Sequence, residues 1–384
     1  MNYDDIKKVI ESCHLNFLIG SGASKPYLNT LGSIESLLTD LSKEKDSDQK
    51  TIVDASIKKH YFDTAIRGNL HIDSSKDTDL IETKLSYEEF LQSLNIIINK
   101  RKSNLVSKQV NLFTTNMDIF LDYTLEKLQL CFNDGFYGRF HPKFGTENFH
   151  NVVIKTSTHY EYESKLPLFN IYKMHGSVNW KNGNNKIPND NTVSYDYGLE
   201  VLSSIYNLPL DQNDFIALKY NEGDKDDSKN IQMLMSEKKE LTTSHSSFLD
   251  AYNKLLIINP TKQKLAITTL ELTFYELLRM YSNYLERENS ILFVIGFSFA
   301  DEHIREITKR VAASNPTLLI IIFAYTKNAI DNKMNETQNI KIIYPDNDDC
   351  FYSLKEINDN FFKKLSNDLS GKTSSTYTGE NLNG

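Results

Sequence analysis

The sequence predicts an α/β protein: a Rossmann-like, mostly parallel sheet with helices on both faces and an inserted helical subdomain. Three observations predict it. Seven short runs are rich in apolar and β-branched residues, the signature of buried strands. Segments with helical periodicity lie between them, and such alternation calls for a layered parallel sheet. Four of the apolar runs stop at glycine or at small hydrogen-bonding residues, as strands do where a parallel sheet builds a ligand crevice.

In chain order the expected strands are Leu15–Ile19, Val110–Thr114, Asn170–Met174, Lys254–Asn259, Ile291–Ile295, Leu318–Tyr325 and Ile340–Tyr344. Phe90, Leu91, Leu94, Ile97 and Ile98 form one helical apolar face; Ile267, Leu270, Phe274, Leu277 and Tyr281 form another. About 90 residues separate the first two strands, where a crossover needs roughly a dozen. Residues 25–105 are therefore expected to hold a helical insertion. The interval 181–250 is polar and reads as a loop insertion, with Asn221–Asn230 too charged to form a core. A single domain over 1–345 is expected, followed by a helical extension at 346–371 and a disordered tail at 372–384.

Composition is that of a globular protein, with 40% hydrophobic and 24% charged residues. The net charge of -8 argues against direct nucleic-acid binding. No apolar run approaches the roughly 20 residues that span a bilayer. The first residues, Met-Asn-Tyr-Asp-Asp, do not read as a secretory signal, so a cytoplasmic protein is expected. Cys13, Cys131 and Cys350 are widely spaced, with no Cys-x-x-Cys pair, and read as ordinary reduced cysteines.

The four strand ends carry the candidate chemistry. Gly20, Ser21, Gly22, Ala23 and Ser24 follow the first strand and are expected to open a helix. Glycines there let a backbone approach a pyrophosphate, and helix N–H groups bind its charge; a tight packing turn is the alternative. The second glycine and the Gly-Lys-[Ser/Thr] of a P-loop are absent. Thr115, Asn116 and Asp118 follow the second strand. The Asn116 amide can hold a hydroxyl or a water, while Thr115-x-x-Asp118 also fits a helix cap. His175 is one of nine histidines, but it stands at a strand end before Gly176, where an imidazole can act as a general base. Gly296 and Ser298 end another strand; the serine can hold a ribose or, with Asp301, cap a helix. Asp301, Glu302 and His303 do not form a metal set, since adjacent helical residues diverge. Trp180 reads as packing.

These four segments resemble the sirtuin superfamily. Gly20-Ser-Gly-Ala-Ser24 resembles its Gly-Ala-Gly-x-Ser loop, with Ser21 in the usual alanine position. Thr115-Asn-Met-Asp118 resembles the Thr-x-Asn-x-Asp element, His175-Gly176 the catalytic His-Gly pair, and Gly296-Phe-Ser298 the late Gly-x-Ser element. The string Gly296-Phe-Ser-Phe-Ala-Asp-Glu-His303 is similar to one common in bacterial sirtuin-like proteins of antiphage defence. The resemblance spans roughly residues 10 to 345.

It implies NAD as substrate, with Asn116 and His175 catalytic and Gly20, Ser21, Gly22, Ala23, Ser24, Thr115, Asp118, Gly296 and Ser298 binding. Deacylating sirtuins carry a four-cysteine zinc site, which three cysteines cannot build, so no zinc is expected. That absence favours water over acetyl-lysine as acceptor, making the chain an NAD hydrolase that depletes the cofactor of an infected cell in abortive infection. An NAD-dependent protein deacylase and a non-catalytic nucleotide-binding scaffold are the alternatives. The resemblance further implies a homo-oligomer with a HerA-type ATPase partner, or less commonly an Argonaute-like one, and no membrane contact.

Overall fold

In the computed structural model, residues 3–30, 32–101, 106–159, 162–183, 192–219, 229–258, 270–326, 329–330, 334, 337–345 and 351–371 are described. The central sheet has seven strands: β1 (His14–Ile19), β2 (Gln109–Thr114), β3 (Phe132–Asn133), β4 (Leu168–Lys173), β5 (Ser290–Ile295), β6 (Leu319–Phe323) and β7 (Ile340–Ile343). Their spatial order is β7-β6-β5-β1-β2-β4-β3, and every neighbouring pair is parallel. The four strands whose ends carry the sequence motifs are thus the four consecutive central ones, β5-β1-β2-β4.

Strand alternation sets the two layers. Phe17, Leu112, Ile171, Phe293 and Ile321 face one core, with the helices α1 (Tyr3–Ser12), α4 (Thr78–Lys100), α5 (Phe120–Lys127) and α11 (Leu354–Ile357). Their sequence neighbours Leu18, Phe113, Tyr172, Leu292 and Ile320 face the opposite core, with α9 (Leu270–Leu285) and α10 (Glu302–Ser314). Burial on both faces is why these strands read as continuous apolar runs rather than alternating ones.

Three polar residues interrupt that pattern. Asn16, Asn111 and Asn170 stand in register across β1, β2 and β4. Asn111 Nδ2 donates to Asn16 Oδ1 at 2.9 Å, and Asn170 Nδ2 donates to Asn111 Oδ1 at 3.0 Å. A one-residue slip would leave these buried amides unpaired, so the ladder fixes register as well as joining strands.

Between β1 and β2 lie α2 (Ile34–Leu41), α3 (Asp48–Tyr61) and α4. The first two build a third core with α6 (Glu200–Tyr206), α7 (Ile231–Ser236) and α8 (Thr243–Tyr252). The interval 181–250, expected as a polar loop, therefore carries three short helices whose apolar residues, Leu202, Leu234 and Phe248 among them, are buried against the first insertion. The polar stretch 220–228 lies outside the described residues. The expected strand Lys254–Asn259 is not one. Its described part makes a single antiparallel bridge, Ile257 to Gly176, while the seventh sheet position is filled by the two-residue β3. The C-terminal π-helical stretch Asn358–Phe362 and α12 (Lys363–Leu369) pack on α4. The expected tail 372–384 and Ile267 lie outside the described residues.

Candidate active site

Chain direction across the sheet reverses at β1, which has β2 on one side and β5 on the other; parallel sheets bind ligands at such a switch point. There the Gly20 and Gly296 loops touch backbone to backbone. Gly20 N donates to Ile295 O at 2.9 Å and Gly22 N to Gly296 O at 3.0 Å. A Cβ on Gly20 would lie 2.5 Å from Gly296 O. Gly296 has φ +63°, and a Cβ there would run into Ala23 N, so conformation and space both demand glycine.

The α-helix expected after Ser24 is absent: Ser21–Ser24 is one 3₁₀ turn and Lys25 is extended. Pro26 explains this, since the residue before proline is driven out of the helical region. The Gly22 and Ala23 amides already donate to Gly296 O and Gly20 O, so the loop is not a row of free helix-start donors.

A cavity of about 420 Å³ opens at this junction. Ser21, Gly22, Ser24, Thr115, Asn116, Asp118, His175, Gly296 and Ser298 line it; Gly20 and Ala23 do not. Lys25, Tyr61 and Glu35 close it from the helical insertion side, and Phe297 and Tyr325 from beyond β5 and β6.

Asn116 is 6% exposed and follows β2. Its Nδ2 donates to Gly20 O at 3.1 Å and Ser24 Oγ at 3.2 Å. A carbonyl only accepts, so Gly20 fixes the amide orientation. Oδ1 is then buried with no hydrogen-bond partner, an acceptor left for a donor that the described chain does not supply.

Asp118 Oδ2 accepts from Ser24 Oγ at 2.6 Å, and Oδ1 accepts from Phe120 N at 3.2 Å. The second bond meets the start of α5, so Asp118 both supports that helix and faces the cavity. Burial pushes its carboxyl above the usual range, against the pull of Ser24, Lys173 and the Phe120 N–H.

His175 sits beyond β4 in a turn that only glycine can close: Gly176 has φ +78°, and a Cβ there would meet Leu256 O. His175 O accepts from Ile258 N at 2.9 Å, so the chain around Ile257 buttresses the turn instead of extending the sheet. The imidazole Nε2 lies 3.3 Å from Asp301 Oδ2. Asp301, not Ser298, is the N-cap of α10, its Oδ1 accepting from His303 N and Ile304 N at 3.0 and 3.3 Å.

Beneath the site Lys173 is 3% exposed. Its Nζ contacts Asp122 Oδ2 at 2.6 Å and donates to Asp118 O at 2.7 Å and Ser177 Oγ at 2.8 Å. Sequence reasoning missed Asp301 and Lys173 as site partners, and also Tyr87, whose hydroxyl lies 3.0 Å from Ser24 Oγ. Trp180, as expected from packing, is buried against Phe136 and Phe144.

Residues 110–343 match the SIR2-like domain family. The chain belongs to that family. The matched stretch starts in β2, so β1 and the Gly20 loop lie outside it, although β1 sits between two strands of the match. Among solved structures, a chain from "Structural Basis for the Mechanism and Regulation of Sir2 Enzymes" is 11% identical. That alignment covers 96% of this chain and 98% of the other, with a TM-score of 0.37, a likeness too distant to carry function. No curated protein matches.

One feature bears on metal. Cys13 precedes β1 and Cys131 precedes β3, three strand positions away, roughly 14 Å at the usual strand spacing. They cannot ligate one ion. Cys350 lies outside the described residues. Among the described residues no helix is long and apolar enough to cross a membrane.

Proposed function

We propose that the chain is an NAD hydrolase, cleaving the bond between nicotinamide and ribose and passing the ribosyl carbon to water. Membership of the SIR2-like family supports an enzyme that uses NAD. The observation that carries the reading is Asn116 and His175 lining one cavity beside the Gly20–Gly296 junction, on loops after adjacent strands. Lys25 lines the same wall, and its ammonium would meet the charge of a pyrophosphate.

Nicotinamide leaves with the bonding electrons as a neutral molecule, and positive charge develops on the ribose. The unpaired Asn116 Oδ1 accepts from the attacking water or a ribose hydroxyl, and the His175 imidazole takes the proton released. NAD and water thus give nicotinamide, ADP-ribose and a proton. In a bacterial cell this reaction would deplete NAD, which fits an antiphage effector held inactive until triggered. We extend the proposal to a homo-oligomer docked on a HerA-type ring ATPase, since a constitutive NAD hydrolase would poison its own cell.

The test is incubation of the full chain with NAD, with and without an acetylated peptide, alone and with the ATPase. Nicotinamide and ADP-ribose in equal amounts, indifferent to peptide, are expected. O-acetyl-ADP-ribose would make the chain a deacylase. A monomer by light scattering, fully active and indifferent to the ATPase, would overturn the assembly while leaving the chemistry.

A further inference from the structure

We infer that Asp301 is a positioning residue for His175, and that its two carboxylate oxygens are divided between two jobs. This deepens the NAD-hydrolase reading by naming which imidazole nitrogen acts as base. Oδ1 is committed to α10, accepting from His303 N and Ile304 N. Oδ2 stands 3.3 Å from His175 Nε2, with the two side chains 8% and 14% exposed. The segment carrying the carboxylate is itself held. Phe299, two residues earlier, is fully buried at φ +62°, a conformation costly for a bulky L residue, and its carbonyl accepts from Arg305 Nη1 at 3.1 Å.

A carboxylate only accepts, so the neutral imidazole keeps its proton on Nε2 facing Asp301. The lone pair then lies on Nδ1, which makes no hydrogen bond among the described residues of a side chain that lines the cavity. Nδ1 is therefore the nitrogen that takes the proton from water or a ribose hydroxyl. The imidazolium so formed carries its charge opposite the Asp301 carboxylate, much as buried Asp orients His in the catalytic triads.

A helix cap alone would explain Asp301 equally well, and one substitution separates the two roles. Asn caps helices as well as Asp. In Asp301→Asn the amide oxygen must stay on the His303 and Ile304 N–H groups, because an NH₂ cannot accept from them. The NH₂ then faces Nε2, two donors meet, and the imidazole proton moves to Nδ1. The base disappears while the cap survives.

The experiment is nitrogen NMR of the full-length chain with ¹⁵N-labelled histidine, at a pH where His175 is neutral, with the signal assigned by its loss in His175→Ala. The native protein should show the Nε2–H tautomer and Asp301→Asn the Nδ1–H tautomer, at an unchanged melting temperature. NAD cleavage by Asp301→Asn should show kcat lowered roughly 10²–10⁴-fold with KM little changed. Asp301→Ala, which loses the cap, should by contrast melt earlier. The same tautomer in native and Asp301→Asn proteins, or an Asp301→Asn enzyme with native kcat, would overturn the inference. Should the native chain cleave no NAD, the hydrolase reading fails, and the nitrogen shifts still decide the pair.

Discussion

Replacing His175 with alanine is expected to lower NAD cleavage by a factor of about 10²–10⁴, the usual worth of a positioned general base. The fold should be nearly indifferent. The side chain is 14% exposed, and removing its interaction with Asp301 costs roughly 1 kcal/mol in such a setting. What holds the turn is backbone: Gly176 in its left-handed conformation and the Ile258 N to His175 O bond, neither touched by the substitution. Turnover by high-performance liquid chromatography and melting by circular dichroism check both halves. A folded His175→Ala chain with native turnover would remove the proposed mechanism. Asn116→Ala should also abolish cleavage, but less cleanly. Its Nδ2 binds Gly20 O and Ser24 Oγ, so alanine removes two hydrogen bonds that hold the loop, although Gly20 O keeps the Ala23 N–H, at a cost of about 1 kcal/mol each.

The difference between these two residues shows what was legible in the sequence. The strand ends could be read because a two-sided parallel sheet writes each strand as a continuous apolar run, and a run that breaks at Gly20 or Gly296 announces its own edge. That placed Asn116 and His175 on one crevice. It could not give the partners. Asp301 lies 126 positions after His175 in the chain and looks like any helix cap; only the order β5-β1-β2-β4 brings it across the sheet edge. Lys173 lay inside the expected strand Asn170–Met174 and drew no reading of its own, because nothing local reveals that its ammonium is buried against Asp122, Asp118 O and Ser177 Oγ. The apolar run at Lys254–Asn259 misled for a related reason. Short apolar stretches look alike whether they join a sheet or, like Ile257, merely bridge to a turn beneath it. Likewise α6, α7 and α8 are short and embedded in polar sequence, and their apolar residues show a purpose only against the core of α2 and α3.

Lys173→Met is expected to destabilise the protein by about 3–5 kcal/mol, the cost of breaking a buried pair on one side. The native ammonium donates to Asp118 O and to Ser177 Oγ, which in turn donates to Met117 O at 3.3 Å, and it forms a close ion pair with the Asp122 carboxylate. It therefore ties α5, the Asn116–Asp118 loop and the turn after His175 to the end of β4. Methionine fills similar space but leaves Asp122, 7% exposed, without its counter-ion and Asp118 O without a donor. The deficit should depend on pH. Burial already raises the Asp118 carboxyl and Lys173 opposes that rise, so losing Lys173 raises it further. An acid whose pKa is higher folded than unfolded binds protons preferentially when folded, so its penalty is full above the folded value and fades as pH falls through it. Urea denaturation should show the variant closest to native in mild acid and furthest from it above neutrality. Adding Asp122→Leu removes the stranded charge, and paired removal of a buried ion pair is commonly neutral or stabilising. Stability should then return in part, since Asp118 O still lacks its donor, while NAD cleavage stays low because the two loops remain untied. Native-like stability of the single variant at pH 8 would mean that the lysine is not holding this site together, and a fully active double variant would mean that the loops need no tie.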